Sequence, residues 1–126
     1  MTELTLEFTK SEWWTSNTRF RHWAIEAKLK KQARMKARLA AVEAGLPLVD
    51  RAHVTAWISY PRASKADPSN AAPCVKALLD GITDADGYGW VDDDSTHVTA
   101  VTYRRGANTG RPGTWVIRLQ IEEEDT

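Results

Sequence analysis

The chain has 126 residues, 42% of them hydrophobic and 27% charged, with 17 Lys and Arg balanced by 17 Asp and Glu, the make-up of an ordinary soluble globular protein with one sizeable core. Its single cysteine, Cys74, excludes an intramolecular disulfide framework and points to a reducing, cytoplasmic setting. No apolar run approaches the roughly 18 residues that cross a bilayer, and the polar start MTELTLEFTK lacks the apolar stretch of a signal peptide, so no membrane association is expected.

In chain order, LTLEF (Leu4 to Phe8) alternates apolar with polar residues and predicts a strand. Arg19 to Ala44 holds no Gly or Pro and is rich in Ala, Lys, Arg and Leu, which predicts a long helix stopped by Gly45 and Pro47. Its apolar spacing is untidy, but Lys31, Arg34 and Arg38 recur at helical spacing and share a face. HVTAWISY (His53 to Tyr60) predicts a second strand, ended by Pro61, and PRASKADPSNAAP a loop. Pro73 suits a first helical turn, after which Val75, Leu78, Leu79 and Ile82 mark an amphipathic helix. STHVTAVTYRR and GTWVIRLQIE predict two more strands, and the glycine-rich GANTGRPG between them signals a hairpin. The order β-α-β-α-β-β implies a single α+β domain over residues 1–126, one mixed sheet covered on one side by two helices, with an acidic tail from about residue 122. Trp57 and Trp115, within strand patterns, are expected in the core. Trp13, Trp14, Trp23 and Trp90 suit a core or a dimer interface better than a DNA wedge, and Cys74 is expected to be inert.

The zero net charge conceals a segregation. From Arg19 to Lys65 eleven Lys and Arg face only Glu26, Glu43 and Asp50; from Asp67 to Asp94 seven aspartates face Lys76 alone. A basic stripe beside an acidic pocket suits an anionic polymer held on one surface and cut at another. Asp67 closes a basic loop, and Lys76 and Asp80 stand four residues apart on the following helix. Asp92, Asp93 and Asp94 stand shoulder to shoulder before the third strand. If that strand runs beside the second, Asp67 and the aspartate run can meet at one sheet end. Hard oxygen ligands from two loops are what Mg²⁺ or Mn²⁺ takes, and a nearby lysine adds positive charge where negative charge develops. Solvated turns and helix caps would account for the same aspartates without any metal. A calcium loop centred on Gly87 fails, because Ile82 would occupy its first ligand position.

The stretch RASKADPSNAAPCVKALLDGITDADGYGWVDDD resembles the core of the RusA-type Holliday junction resolvases, endonucleases of phages and prophages that act in DNA recombination and repair. TSNTRFRHW (Thr15 to Trp23) is similar to that family's N-terminal S-N-x-R element, and the resemblance spans about residues 15 to 105. It implies a compact α+β domain forming an intertwined homodimer, with Mg²⁺-dependent nicking of four-way DNA junctions. Asp67 then matches the first motif aspartate, Asn70 the asparagine, Lys76 the catalytic lysine and Asp93 the functional aspartate of the later pair, with Asp92 its neighbour. Asp94 and Asp80 match more weakly. Arg19 and His22 become DNA contacts beside Lys31, Arg34, Arg38, Arg62 and Lys65, which need only charge and reach to hold phosphates. Two departures stand out: Ser69 replaces the second motif aspartate, and three extra residues separate Asn70 from the lysine. Either Asp92, Asp94, Asn70 or water fills the vacant ligand position, or the site is weakened. The alternatives to a resolvase are a branched-DNA-binding protein that cuts nothing and a broader flap or fork nuclease.

Overall fold

The computed structural model describes residues 1–83, 88 and 97–124. Alternation sets the sheet. In β1 (Thr2–Thr9) Leu4, Leu6 and Phe8 are buried while Glu3, Thr5 and Glu7 are exposed. In β2 (Ala52–Ser59) Ala52, Val54, Ala56 and Ile58 are buried and the residues between them only half-buried. In β4 (Thr114–Glu123) the inward residues are Ile117, Leu119 and Ile121. These side chains share one face of a four-stranded sheet of order β1-β4-β2-β3, and both helices pack on that face. The single α+β domain with a mixed sheet and two helices is therefore as expected from the sequence.

Helix α1 (Trp23–Ala44) begins at His22, whose Nδ1 accepts the Ala24 N–H at 3.1 Å, and ends where Gly45 turns left-handed at φ 59°. Its buried residues, Leu29, Ala33, Ala37 and Ala41, recur every fourth position. An alanine seam carries little hydrophobic contrast, which is why the periodicity looks untidy in the sequence. What it gives instead is close approach: α2 (Ala72–Thr83) packs so near that a Cβ on Gly81 would collide with the Arg34 backbone. A short 3-10 turn, Pro68–Ala71, leads into α2, and most of that helix is buried, including Val75, Leu78, Leu79 and Ile82.

The strand order corrects the hairpin expectation. β3 (Val98–Arg105) does not pair with β4; it lies parallel to β2 at the sheet edge, while β4 inserts antiparallel between β1 and β2. Helix α2 is the crossover that a parallel pair requires. The 106–113 connection then passes across the end of β2, held there by Gly106 N–H to Ile58 O (2.8 Å), Thr109 N–H to Tyr60 O (2.8 Å) and Gly110 N–H to Pro61 O (3.1 Å). Gly110 and Gly113 both sit at φ 68°, so the glycine-rich composition serves a crossing loop rather than a tight two-residue turn.

Two tryptophan expectations divide. Trp115 packs at the margin of the core, stacked on Trp13 with ring centroids 5.6 Å apart and planes 9° apart. Trp57 is instead on the face that carries no helix, half-buried between Arg104 and Arg118, with its indole N–H donating to Gln120 Oε1 at 2.8 Å. Strand alternation cannot distinguish a core face from an open face dressed by long arginine stems. Trp14 is buried, Trp13 half-buried and Trp23 76% exposed; Trp90 lies outside the described residues. Glu122 and Glu123 are the last residues of β4, and Glu124 donates its N–H to Arg51 O and lies 4.0 Å from the Arg51 guanidinium.

Candidate functional site

Asp67 sits where the loop after β2 enters the 3-10 turn. Its backbone is extended (φ −70°, ψ 136°), its carbonyl accepts the Asn70 N–H at 3.0 Å, and its exposed carboxylate makes no capping hydrogen bond. The carboxylate is thus not consumed by the turn that positions it. Asn70 is half-buried, and its carbonyl oxygen accepts the backbone N–H of Ser16 at 2.9 Å. That bond brings the TSNTR segment, far away in sequence, against the Asp67 turn. The segment is shaped by its own hydroxyls: Thr15 N–H donates to Thr18 Oγ1 at 2.9 Å and Asn17 N–H to Thr15 Oγ1 at 3.2 Å. It is anchored by buried Trp14, whose carbonyl accepts the Cys74 thiol at 3.1 Å from the first turn of α2. Burial pushes the Cys74 thiol up to about 12, in keeping with an inert side chain.

Lys76 stands on the exposed edge of α2 with its ammonium 3.2 Å from Asp80 Oδ1, so the two residues face the same way as their spacing requires. Exposed pairs of this kind contribute little to stability, on the order of 0.3–0.5 kcal/mol. Ser69 is exposed on the 3-10 turn.

The loop between β2 and Asp67 is organised by a residue that the sequence does not mark. Arg105, at the end of β3, donates to the carbonyls of Ser64 (3.0 Å), Ala66 (3.3 Å) and Arg62 (3.4 Å). Its guanidinium also lies 4.4 Å from the Tyr60 ring centroid. Tyr60 donates its hydroxyl to the Asp67 carbonyl at 3.2 Å. Burial raises the Tyr60 pKa, the charge of Asp67 raises it further, and Arg105 opposes both. Arg105 and Tyr60 have no local signature, because their partners arrive from another strand and another loop. The two basic residues the loop was expected to offer, Arg62 and Lys65, are exposed.

The basic residues of the N-terminal half divide by surroundings. Arg19, Lys31 and Arg38 are exposed, whereas Arg34 is half-buried where α1 crosses α2 beside Gly81. His22 spends Nδ1 on capping α1 and rests against Trp23, the ring centroids 5.3 Å apart.

Asp92, Asp93 and Asp94 lie outside the described residues. Their flanks are placed. Tyr88 donates its hydroxyl to Leu46 O at 2.7 Å, in the segment between α1 and β2, and His97 O accepts the Ala52 N–H at 2.8 Å, at the N-terminal end of β2. Asp67 belongs to the loop leaving the C-terminal end. The condition set by the sequence holds, since β3 does run beside β2, but parallel pairing starts the two strands at the same end. Among the described residues no group of three His, Cys, Asp and Glu side chains is arranged to share a metal ion. Asp67 suits a hard cation as an uncommitted carboxylate, with Asn70 in the same turn. No family model matches the chain, and no curated protein matches it. No helix among the described residues is long and apolar enough to cross a membrane.

Proposed function

We propose that this chain is a structure-specific endonuclease that nicks four-way DNA junctions as a homodimer, with Mg²⁺ as cofactor and Mn²⁺ as its substitute. The observation that carries the reading is the Ser16–Asn70 hydrogen bond. It joins the S-N-x-R-like segment to the turn holding Asp67, at the head of the helix that bears Lys76. Two elements that resemble the resolvases separately in sequence are thus neighbours in space.

In this reading Asp67, Asp92 and Asp93 hold the cation, which when bound supplies Lewis acidity at a scissile phosphate. Lys76 offers positive charge on the exposed face of α2, with Asp80 orienting its ammonium. Arg19, Lys31, Arg38, Arg62 and Lys65 are exposed and suited to phosphate contacts, which need charge and reach but no fixed geometry. A two-fold homodimer supplies two equivalent sites for paired nicks, as symmetric resolution of a junction requires.

A second reading is a branched-DNA-binding protein that does not cut. It is favoured by Ser69 in place of a carboxylate. A labelled four-way junction, a flap and a matched duplex, each incubated in Mg²⁺, Mn²⁺ and EDTA, distinguish the two. Paired nicks in the junction alone, abolished in Asp67→Asn and Asp93→Asn while binding persists, are expected of a resolvase. Junction binding without cleavage in either metal establishes the binding protein, and equal cutting of the flap points to a broader nuclease.

A further inference from the structure

A pocket of about 640 Å³ opens between the loop after β2 and the glycine-rich crossing loop. Its walls include Tyr60, Pro61, Pro112 and Trp115, and Lys10 and Arg62 stand on its lining as the charged residues. The aromatic walls are held in place from outside the pocket. Trp13 stacks on Trp115, and Arg105 lies over Tyr60. Gly110 and Gly113 carry the chain past the opening, and a Cβ at either would meet nothing within 4 Å, so this side is left open by the turn. Lys10 and Arg62 are exposed and have no ion-pair partner among the described residues.

Rigid aromatic walls with unpaired cations beside them are complementary to a flat ring carrying a negative charge. An apolar peptide would use the walls but not the cations; a bare phosphate would use the cations but not the walls. A nucleotide uses both: bases stack on aromatic side chains at about 1–3 kcal/mol each, and phosphates are held by Lys and Arg. The volume also falls within the range of roughly 300–1,000 Å³ usual for small-molecule sites. The base must already be out of the stack, because extracting a paired base costs a few kcal/mol.

We propose that this pocket receives an unpaired nucleotide, its base against the half-buried Trp115, with the buried Tyr60 backing the pocket rather than stacking, and its phosphate beside Lys10 and Arg62. The proposal rests on the branched-DNA reading and deepens it. Tyr60 is common to the pocket lining and to the Asp67 loop, so the pocket and the turn that carries Asp67 share one buried residue. A branch point is where such a nucleotide is available at least cost.

The test follows the Trp115 indole N–H by NMR in ¹⁵N-labelled full-length protein in EDTA, the resonance assigned through Trp115→Phe. The titrants are a single-stranded thymidine octamer and an abasic octamer with the same phosphates. The octamer with bases shifts the Trp115 signal and binds at least about fivefold more tightly than the abasic one. Lys10→Ala and Arg62→Ala each weaken binding of both, as expected for phosphate contacts. A Trp115 signal unmoved by the thymidine octamer overturns the proposal, and so does equal affinity for the abasic octamer. Binding and cleavage of a four-way junction are read separately. Junction cleavage without a Trp115 response removes the pocket alone, whereas a Trp115 response without junction preference removes the branched-DNA reading and leaves a nucleotide site.

Discussion

The backbone N–H of Ser16 donates to the carbonyl oxygen of Asn70 at 2.9 Å, tying a segment that precedes α1 to the turn that precedes α2. Both partners are main-chain atoms, so the contact fixes the relative position of two loops independently of what their side chains do. Asp67 inherits that position, because Asn70 N–H is bonded to the Asp67 carbonyl.

Ser16→Pro deletes the donor and leaves the Asn70 carbonyl without this partner. We expect a loss of about 1–3 kcal/mol in denaturant unfolding. On the proposed nuclease reading, junction cleavage should fall further than the unfolded fraction explains. In the wild type the Ser16 amide should be protected from hydrogen exchange; free exchange there would show that the two loops are not joined in solution.

Arg105 holds three carbonyls of the basic loop, and only a planar fork of donors can reach them together. Arg105→Met should therefore expose the loop to trypsin at Arg62 and Lys65 more rapidly than in wild type, with the rest of the domain still folded by circular dichroism. Arg105→Lys should behave like the methionine variant rather than like wild type.

Gly81→Ala offers a test of the helix pair in which the sign decides. On an isolated helix the change gains up to about 1 kcal/mol, whereas overpacking a close contact costs about 1–3 kcal/mol. The Arg34 backbone occupies the space a Cβ would need, so we expect destabilisation and a lower Tm.

Cys74 makes stability depend on alkaline pH. Its folded pKa is raised to about 12 from an ordinary value of 9.0, so the thiol stays protonated in the fold after it ionises in the unfolded chain. Its contribution is therefore fully present below pH 9 and declines between about 9 and 12, at a limiting slope of about 1.4 kcal/mol per pH unit. Tyr60 and Tyr103, also raised by burial, act in the same direction above their ordinary value of 10.0. Urea titrations across that window should show Cys74→Ala losing less stability with pH than wild type. At pH 8 the native thiol should resist iodoacetamide.

The elements themselves were legible because they rest on local physics. Gly45 stops α1, Pro73 lies in the first turn of α2, and Leu4, Leu6 and Phe8 alternate along β1. The α1 seam was not, since Ala33, Ala37 and Ala41 are buried for the approach they permit and not for their hydrophobicity. Of the candidate site, the Lys76–Asp80 pair follows from helical spacing alone, whereas the Arg105 clasp depends on a strand 39 to 43 residues from the carbonyls it holds.

What the sequence by itself determined is the type and approximate extent of the main helices and strands and where charge is segregated along the chain. What only the tertiary structure decided is which strands are neighbours. A glycine-rich connection reads alike whether it closes a hairpin or crosses the end of a strand, because its local conformational demand is the same. The choice is made by long-range packing: α2 carries β3 to the outer edge of β2, and β4 takes the remaining edge beside β1. That crossing also builds the pocket of Tyr60 and Trp115, from residues that no local pattern relates.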